Sequence, residues 1–350
     1  MATSPDPIRP IRVARGLIGA LFALTLSACA APYIQPPLTP PPGFTGPRIE
    51  EPARTGSPGA FVVQDGARLP FLRWGGASEP WAVIVALHGM NDHDASFRLA
   101  GPWWAERGIV TYAFDQRGFG QAPGRGVWAG EPVMSEDLRT VTALVRARYP
   151  HAVVAVVGES MGGSVAAAAF GSDRPPDADR VILLAPGVWG WSSQGPVNSV
   201  GLWVAARALG DLALEPPEFA VRDIVASDNH LELIRNARDP ESILATRFDT
   251  LSGLVDLMEV ASRGLGLMRA PTLLMYGADD TVVKKPAMRR ALQRAGQPPN
   301  LRTAWYPEGH HLLNRDLQAE TVYRDVEAYL RDQSATLPSG AVPVLPQLDP

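Results

Sequence analysis

Apolar residues recur along this chain in short, nearly unbroken runs: 81–87, 109–114, 152–157, 181–184, 272–276 and 301–305. Between most of them lie stretches with apolar positions three and four residues apart, at 132–148, 286–295 and 316–330. Strands apolar on both sides belong in a sheet covered on both faces, and amphipathic helices between them are the crossovers a parallel sheet needs. Ahead of this rhythm, 61–64 and 69–74 flank Asp65-Gly66, which reads as an opening hairpin. From 187 to 269 the rhythm breaks: the periods turn helical, with Trp189, Trp191, Trp203 and the pair Pro216-Pro217. The pattern predicts an α/β fold with a mostly parallel central sheet flanked by helices. The 187–269 interval is a helical cap, because it enters where a strand's carboxyl end opens onto the ligand side of such a sheet.

The ends of the chain read differently. Arg9, Arg12 and Arg15 precede an apolar run at 17–26 and then Leu26-Ser27-Ala28-Cys29. A basic start and an apolar run too short to span a bilayer describe an export signal. Its last four residues resemble the lipobox of bacterial lipoproteins. That resemblance implies cleavage before Cys29, the only cysteine, and acylation of its sulfur. With Ala30 in the next position, the same resemblance implies the outer membrane of a bacterial envelope. The expected organisation is a signal peptide at 1–28, a Pro/Gly-rich tether at 29–58, a core at 59–186 and 270–332, the cap at 187–269, and a disordered proline-rich tail at 333–350.

Composition narrows the field. A hydrophobic share of 46% with 19% charged residues supports a sizeable core. A formal charge of −4 without a basic cluster argues against nucleic-acid partners. Losing 1–28 removes three arginines and one aspartate, leaving the mature chain near −6. With one cysteine there is neither a disulfide framework nor a multi-cysteine metal site.

The chemistry concentrates at Gly158-Glu159-Ser160-Met161-Gly162-Gly163, between an apolar strand and a small, helix-prone run at 164–170. Strand, G-x-S-x-G, helix is the context of a nucleophile elbow. A serine hydroxyl must stand clear of the backbone and meet a base, and the tight turn leaves room only for glycine two residues away on either side. The helix start also points N–H groups at developing negative charge. A serine nucleophile needs an imidazole and a carboxylate, in the chain order Ser, Asp or Glu, His. Two strand ends supply them: Gly277-Ala278-Asp279-Asp280 and Gly309-His310-His311-Leu312-Leu313.

Taken with Leu87-His88-Gly89-Met90-Asn91-Asp92-His93 and Asp115-Gln116-Arg117-Gly118-Phe119-Gly120, these motifs resemble, in order, the monoacylglycerol lipase-like α/β-hydrolases. That group includes bacterial lysophospholipases and relatives grouped with the serine aminopeptidases. The resemblance covers about 60–332. It implies an ester hydrolase acting through an acyl-serine, with no cofactor and no metal. Its pattern puts the acid at Asp280, with Asp279 as a loop residue, and the base at His311, with His310 in the bulky slot before it. The oxyanion hole falls to the backbone N–H groups of Met90 and Met161. The substrate it implies is a single-chain acyl ester such as a monoacylglycerol or lysophospholipid, with the membrane reached through Cys29.

Other readings share these motifs: an aminopeptidase or amidase, an acyltransferase, or a non-catalytic envelope binding protein. His88 and His93, near Asp92 and Asp94, have no zinc spacing and read as supports of the oxyanion loop. Arg117 is expected to tie down the loop after its strand. Trp103, Trp104, Trp128, Trp189 and Trp191 are candidates for an acyl tunnel.

Overall fold

The structure, a computed structural model, describes residues 31–52, 58–76, 79–217 and 221–348. Its strands are β1 (Arg48–Glu50), β2 (Gly59–Val62), β3 (Arg68–Trp74), β4 (Ala82–Leu87), β5 (Ile109–Phe114), β6 (Val153–Glu159), β7 (Arg180–Leu184), β8 (Ala213–Leu214), β9 (Thr246–Arg247), β10 (Thr272–Gly277) and β11 (Leu301–Tyr306). The helices are α1 (Ala100–Ala105), α2 (Glu131–Arg148), α3 (Met161–Phe170), α4 (Pro196–Ala208), α5 (His230–Arg238), α6 (Phe248–Gly264), α7 (Lys285–Ala295) and α8 (Ala319–Arg331). The main sheet runs β1-β2-β3-β5-β4-β6-β7-β10-β11, and β8 pairs with β9 in a small ribbon of its own. β1, β2, β3 and β5 pair antiparallel in turn. From β5 to β11 every pairing is parallel.

β4 shows why unbroken apolar runs were needed. Val83, Val85 and Leu87 join the core beneath α2, α3 and α6, while Ala82, Ile84 and Ala86 join the core beneath α1 and α8. Successive side chains on a strand alternate in direction, so a strand buried on both faces has no polar side to show.

Three boundaries differ from the sequence reading. Arg48–Glu50, inside the expected tether, is an edge strand registered on Ala60–Val62. The tail is not a loose end among its described residues. Leu337, Val344 and Leu348 are buried in the core, Trp305 of β11 donates its N–H to Val342 O at 2.9 Å, and Val344 N–H reaches Thr303 Oγ1. Proline content misled there, because spaced prolines still leave Leu and Val free to pack against an open sheet edge. Finally, α6 lies within the expected cap, yet Leu257 and Ala261 pack in the sheet's core, and Gly264 approaches Ala167 of α3 so closely that no Cβ fits. The part of the interval standing over the sheet is therefore roughly 187–247. Cys29 and the signal segment lie outside the described residues.

Candidate active site

Ser160 sits between the end of β6 and the first turn of α3 at φ 51°, ψ −113°. A non-glycine residue with positive φ is uncommon and strained. The surroundings hold it there: its N–H donates to Leu184 O, and its carbonyl accepts from Ser164 and Gly187 N–H. The flanking glycines are steric requirements. A Cβ on Gly158 would stand 2.5 Å from Gly162 O, and one on Gly162 would stand 2.3 Å from Leu87 O.

Asp280 and His311 arrive from the ends of β10 and β11 and are buried. His311 Nδ1 lies 2.9 Å from Asp280 Oδ2. A carboxylate only accepts, so Nδ1 carries the proton and Nε2 is left as the basic nitrogen. Asp280 Oδ1 accepts the Val282 and Val283 N–H groups, both at 2.8 Å, which fixes the carboxylate from its other side. Burial alone would lower the His311 pKa, but the Asp280 charge and hydrogen bond outweigh it and hold the pKa above the ordinary imidazole value. Asp279 is exposed. His310 turns elsewhere, its backbone N–H bonding Asp316 Oδ2 at 2.7 Å. Asp280 is thus bonded to His311, and His311 and Ser160 line one cavity, which neither Asp279 nor His310 lines.

Met161 opens α3, where the first N–H groups of a helix have no partner within it. The loop carrying Met90 runs against Ser160: a Cβ on Gly89 would lie 3.4 Å from Ser160 Cβ. His88 braces that loop. Its Nδ1–H meets Gly89 O at 2.7 Å, its Nε2 accepts Gln116 N–H at 3.0 Å, and burial lowers its pKa to about 4, so the ring stays neutral. His93 pairs instead with Asp239 and Glu241, just after α5, as well as with Asp94. Burial would lower its pKa, but the Asp94 hydrogen bond and the charges of Asp92, Asp239 and Asp94 raise it to about 9. His93, Asp94 and Asp115 are spaced as metal ligands could be, but Asp115 already accepts the Asp94 and Gln121 N–H groups. Arg117 clamps Asp137 of α2 and Asp65 of the hairpin turn.

The sequence reading missed Arg315. This buried guanidinium bonds Asp92 Oδ2 at 2.7 Å and Glu159 Oε1. Burial would raise the Asp92 pKa, yet the Arg315 charge brings it down to about 2. Glu159 is fully buried, and burial pushes its pKa up despite Arg315. The one available signal was a glutamate inside an otherwise apolar and small-residue elbow, which requires a buried cation somewhere.

Two cavities meet at Ser160. One, of about 690 Å³, is lined chiefly by apolar side chains, among them Trp189, Leu202, Leu214, Leu254, Met258 and Val283. The other, of about 330 Å³, is lined by Met90, Asn91, Ser242, Ile243 and His311. Of the five tryptophans considered, only Trp189 lines either cavity; Trp104 and Trp128 are core.

Residues 78–318 match the profile of the family described as "Serine aminopeptidase, S33". The chain belongs to this family of α/β-hydrolases. Among relatives of this S33 hydrolase, the monoacylglycerol lipase of Mycolicibacterium smegmatis is 25% identical over 289 residues, 79% of this chain and 97% of that protein. The human monoglyceride lipase is 24% identical over 292 residues, 81% of this chain and 93% of that one. In three dimensions, the monoacylglycerol lipase of Paleococcus ferrophilus superposes with a TM-score of 0.62 at 19% identity, over 76% of this chain and 99% of that one. A soluble variant of the Saccharomyces cerevisiae monoglyceride lipase gives 0.63 at 15% identity, over 86% and 100%. At those identities the two structures speak for the fold of the S33 hydrolase, not for its substrate.

Proposed function

We propose that this protein is a carboxylic ester hydrolase acting on single-chain lipids, with Ser160 as nucleophile, His311 as base and Asp280 as its orienting acid. The observation that carries this reading is the buried Asp280–His311 bond beside a serine held at positive φ, at the meeting point of the two cavities. Ser160 Oγ attacks the ester carbonyl while His311 Nε2 takes its proton, and the Met90 and Met161 N–H groups receive the oxyanion. The tetrahedral intermediate collapses, His311 returns the proton to the departing alcohol, and an acyl-serine remains. Water, deprotonated by the same nitrogen, releases the fatty acid and restores Ser160.

The larger cavity suits an acyl chain, since its lining offers apolar surface and few polar demands. The smaller one suits a polyol alcohol. Asn91 Oδ1 and Ser242 Oγ line or flank it as buried polar atoms without a hydrogen-bond partner, and a substrate hydroxyl would satisfy them. The related monoacylglycerol lipases act on such an ester, which supports this choice. Acylation at Cys29 would place the enzyme on the envelope membrane, where such lipids are found.

The test is turnover of the purified protein on esters of short to long acyl chains, including a monoacylglycerol and a lysophospholipid, beside Ser160→Ala. Turnover that rises with chain length and vanishes in the variant is expected. Activity surviving in Ser160→Ala removes the assignment, and turnover confined to aminoacyl anilides moves it to the peptidase reading.

A further inference from the structure

The G-x-S-x-G motif leaves the residue before the serine open, and in this chain it is Glu159, the last residue of β6. Its side chain is wholly removed from solvent. Oε1 accepts from Arg315, while Oε2 bonds nothing among the described residues. A buried oxygen without a partner carries its full desolvation cost, so such an atom calls for a ligand group or a water. The carboxyl is also close to the chemistry. A Cβ on Gly89 would stand 3.3 Å from Glu159 Oε1 and 3.4 Å from Ser160 Cβ, so both side chains flank one point of the oxyanion loop.

Glu159 lines the smaller cavity and not the larger one. The same is true of His311, which hands its proton to the departing alcohol, so this is the side on which the alcohol leaves. Besides His311, the charged groups of this lining are Asp92, Glu159 and Arg315. The two terminal nitrogens of Arg315 are engaged, one by each carboxylate. Arg315 Nε, Asn91 Oδ1 and Ser242 Oγ join Glu159 Oε2 as its buried polar atoms without a partner among the described residues.

That set holds one donor, two acceptors and a hydroxyl, so a matching ligand must both donate and accept. A hydroxyl does both. An ammonium only donates. An ionised phosphate only accepts, and it would bring negative charge beside two carboxylates whose shared cation is already taken. Burial pushes the Glu159 pKa upward, and a hydroxyl suits either state, donating to the carboxylate or accepting from the acid.

We infer that Glu159 is a specificity-determining residue: its Oε2 receives a free hydroxyl of the leaving alcohol, and the Asp92–Arg315–Glu159 floor refuses a phosphorylated one. This rests on the reading of Ser160 as the nucleophile of an ester hydrolase. Within that reading, it selects the neutral polyol ester over the lysophospholipid.

The experiment measures kcat/KM of the full-length protein on three esters of one fatty acid, presented in mixed micelles. They are the 1-monoacylglycerol, the n-propyl ester, which lacks both free hydroxyls, and lysophosphatidic acid, which adds one phosphate. The glycerol ester should exceed the propyl ester by about tenfold or more, the worth of a hydrogen bond to a charged group. Lysophosphatidic acid should lie about tenfold or more below the glycerol ester. Glu159→Gln keeps an oxygen for Arg315 but turns N–H groups toward the cavity. Its preference for glycerol over propyl should fall several-fold, while lysophosphatidic acid gains on the propyl ester. Glu159→Asp draws the charge back by one methylene, so it should lose the glycerol preference and still refuse the phosphate. Ratios taken within each protein cancel any loss common to all substrates. An unaltered protein that does not favour glycerol over propyl overturns the inference without any variant. Variants that lower all three esters by one factor reduce Glu159 to a structural support and overturn it too. An unaltered protein that hydrolyses none of the esters removes the Ser160 reading, and this inference with it.

Discussion

Replacing Arg315 with methionine strands two buried carboxylates beside Ser160. Methionine fills much of the arginine stem's volume, so the loss is chiefly electrostatic. Glu159 is fully buried and Asp92 nearly so, and Arg315 is the cation bonded to both. Breaking such a pair from one side costs about 3–5 kcal/mol, because an unpaired charge is left behind. For a chain of 350 residues that is a fall in Tm of roughly 4–7 °C. The pH dependence follows from the pKa directions. Asp92, held at about 2 by Arg315, adds stability above its unfolded pKa near 3.8 and loses it as pH falls toward 2. Without Arg315 that depression disappears and burial dominates both carboxyls, so folding takes up protons. The variant should then be more handicapped at pH 8 than at pH 5. Calorimetry at both pH values reads this directly, and Arg315→Met combined with Glu159→Gln should recover part of the loss. A Tm change under 2 °C, or a double variant no more stable than the single one, would refute the reasoning.

Asp280→Asn should cut kcat by about 10⁴-fold, since the amide no longer selects the His311 tautomer. In the unaltered enzyme, kcat/KM should fall as pH drops through a value above that of free imidazole, because His311 must be neutral and its pKa is raised. His93 is raised to about 9, so its ion pairs contribute fully below pH 6.5 and are lost as pH rises through 9. Limited proteolysis between Arg235 and Arg247 should therefore accelerate above pH 9, and His93→Gln should show that accelerated cleavage already at pH 7. Deleting residues 337–348 removes three buried aliphatic side chains, each worth about 1.5–3 kcal/mol. It also bares β11, so a lowered Tm with concentration-dependent association is expected in light scattering.

What the sequence disclosed follows from how locally each feature is encoded. The strands and the elbow announce themselves within a few residues: the run before Gly158 has one side-chain chemistry, and the glycines answer contacts made inside the same turn. The choice of Asp280 over Asp279 came from the family the motifs resemble, and the geometry that places it on His311 spans two strand ends. Features set by distant partners stayed hidden. Arg315 meets Glu159 from 156 positions away, and nothing near either residue names the other. Gln35, Val344 and Leu348 sit in proline-rich segments whose composition argues for solvent, whereas the surfaces they cover are assembled elsewhere. α6 was read with the cap because amphipathic periodicity shows that a face is buried, not against which layer.

The packed segment at 337–348 also has a bearing on the order of events during synthesis. Every strand of the sheet leaves the ribosome before these residues do, and Val344 and Leu348 complete a core that Phe61 and Val83 began. Until they arrive, β11 keeps an unpaired edge, open to a neighbouring chain or a chaperone. A nascent chain in that condition is compact without being closed.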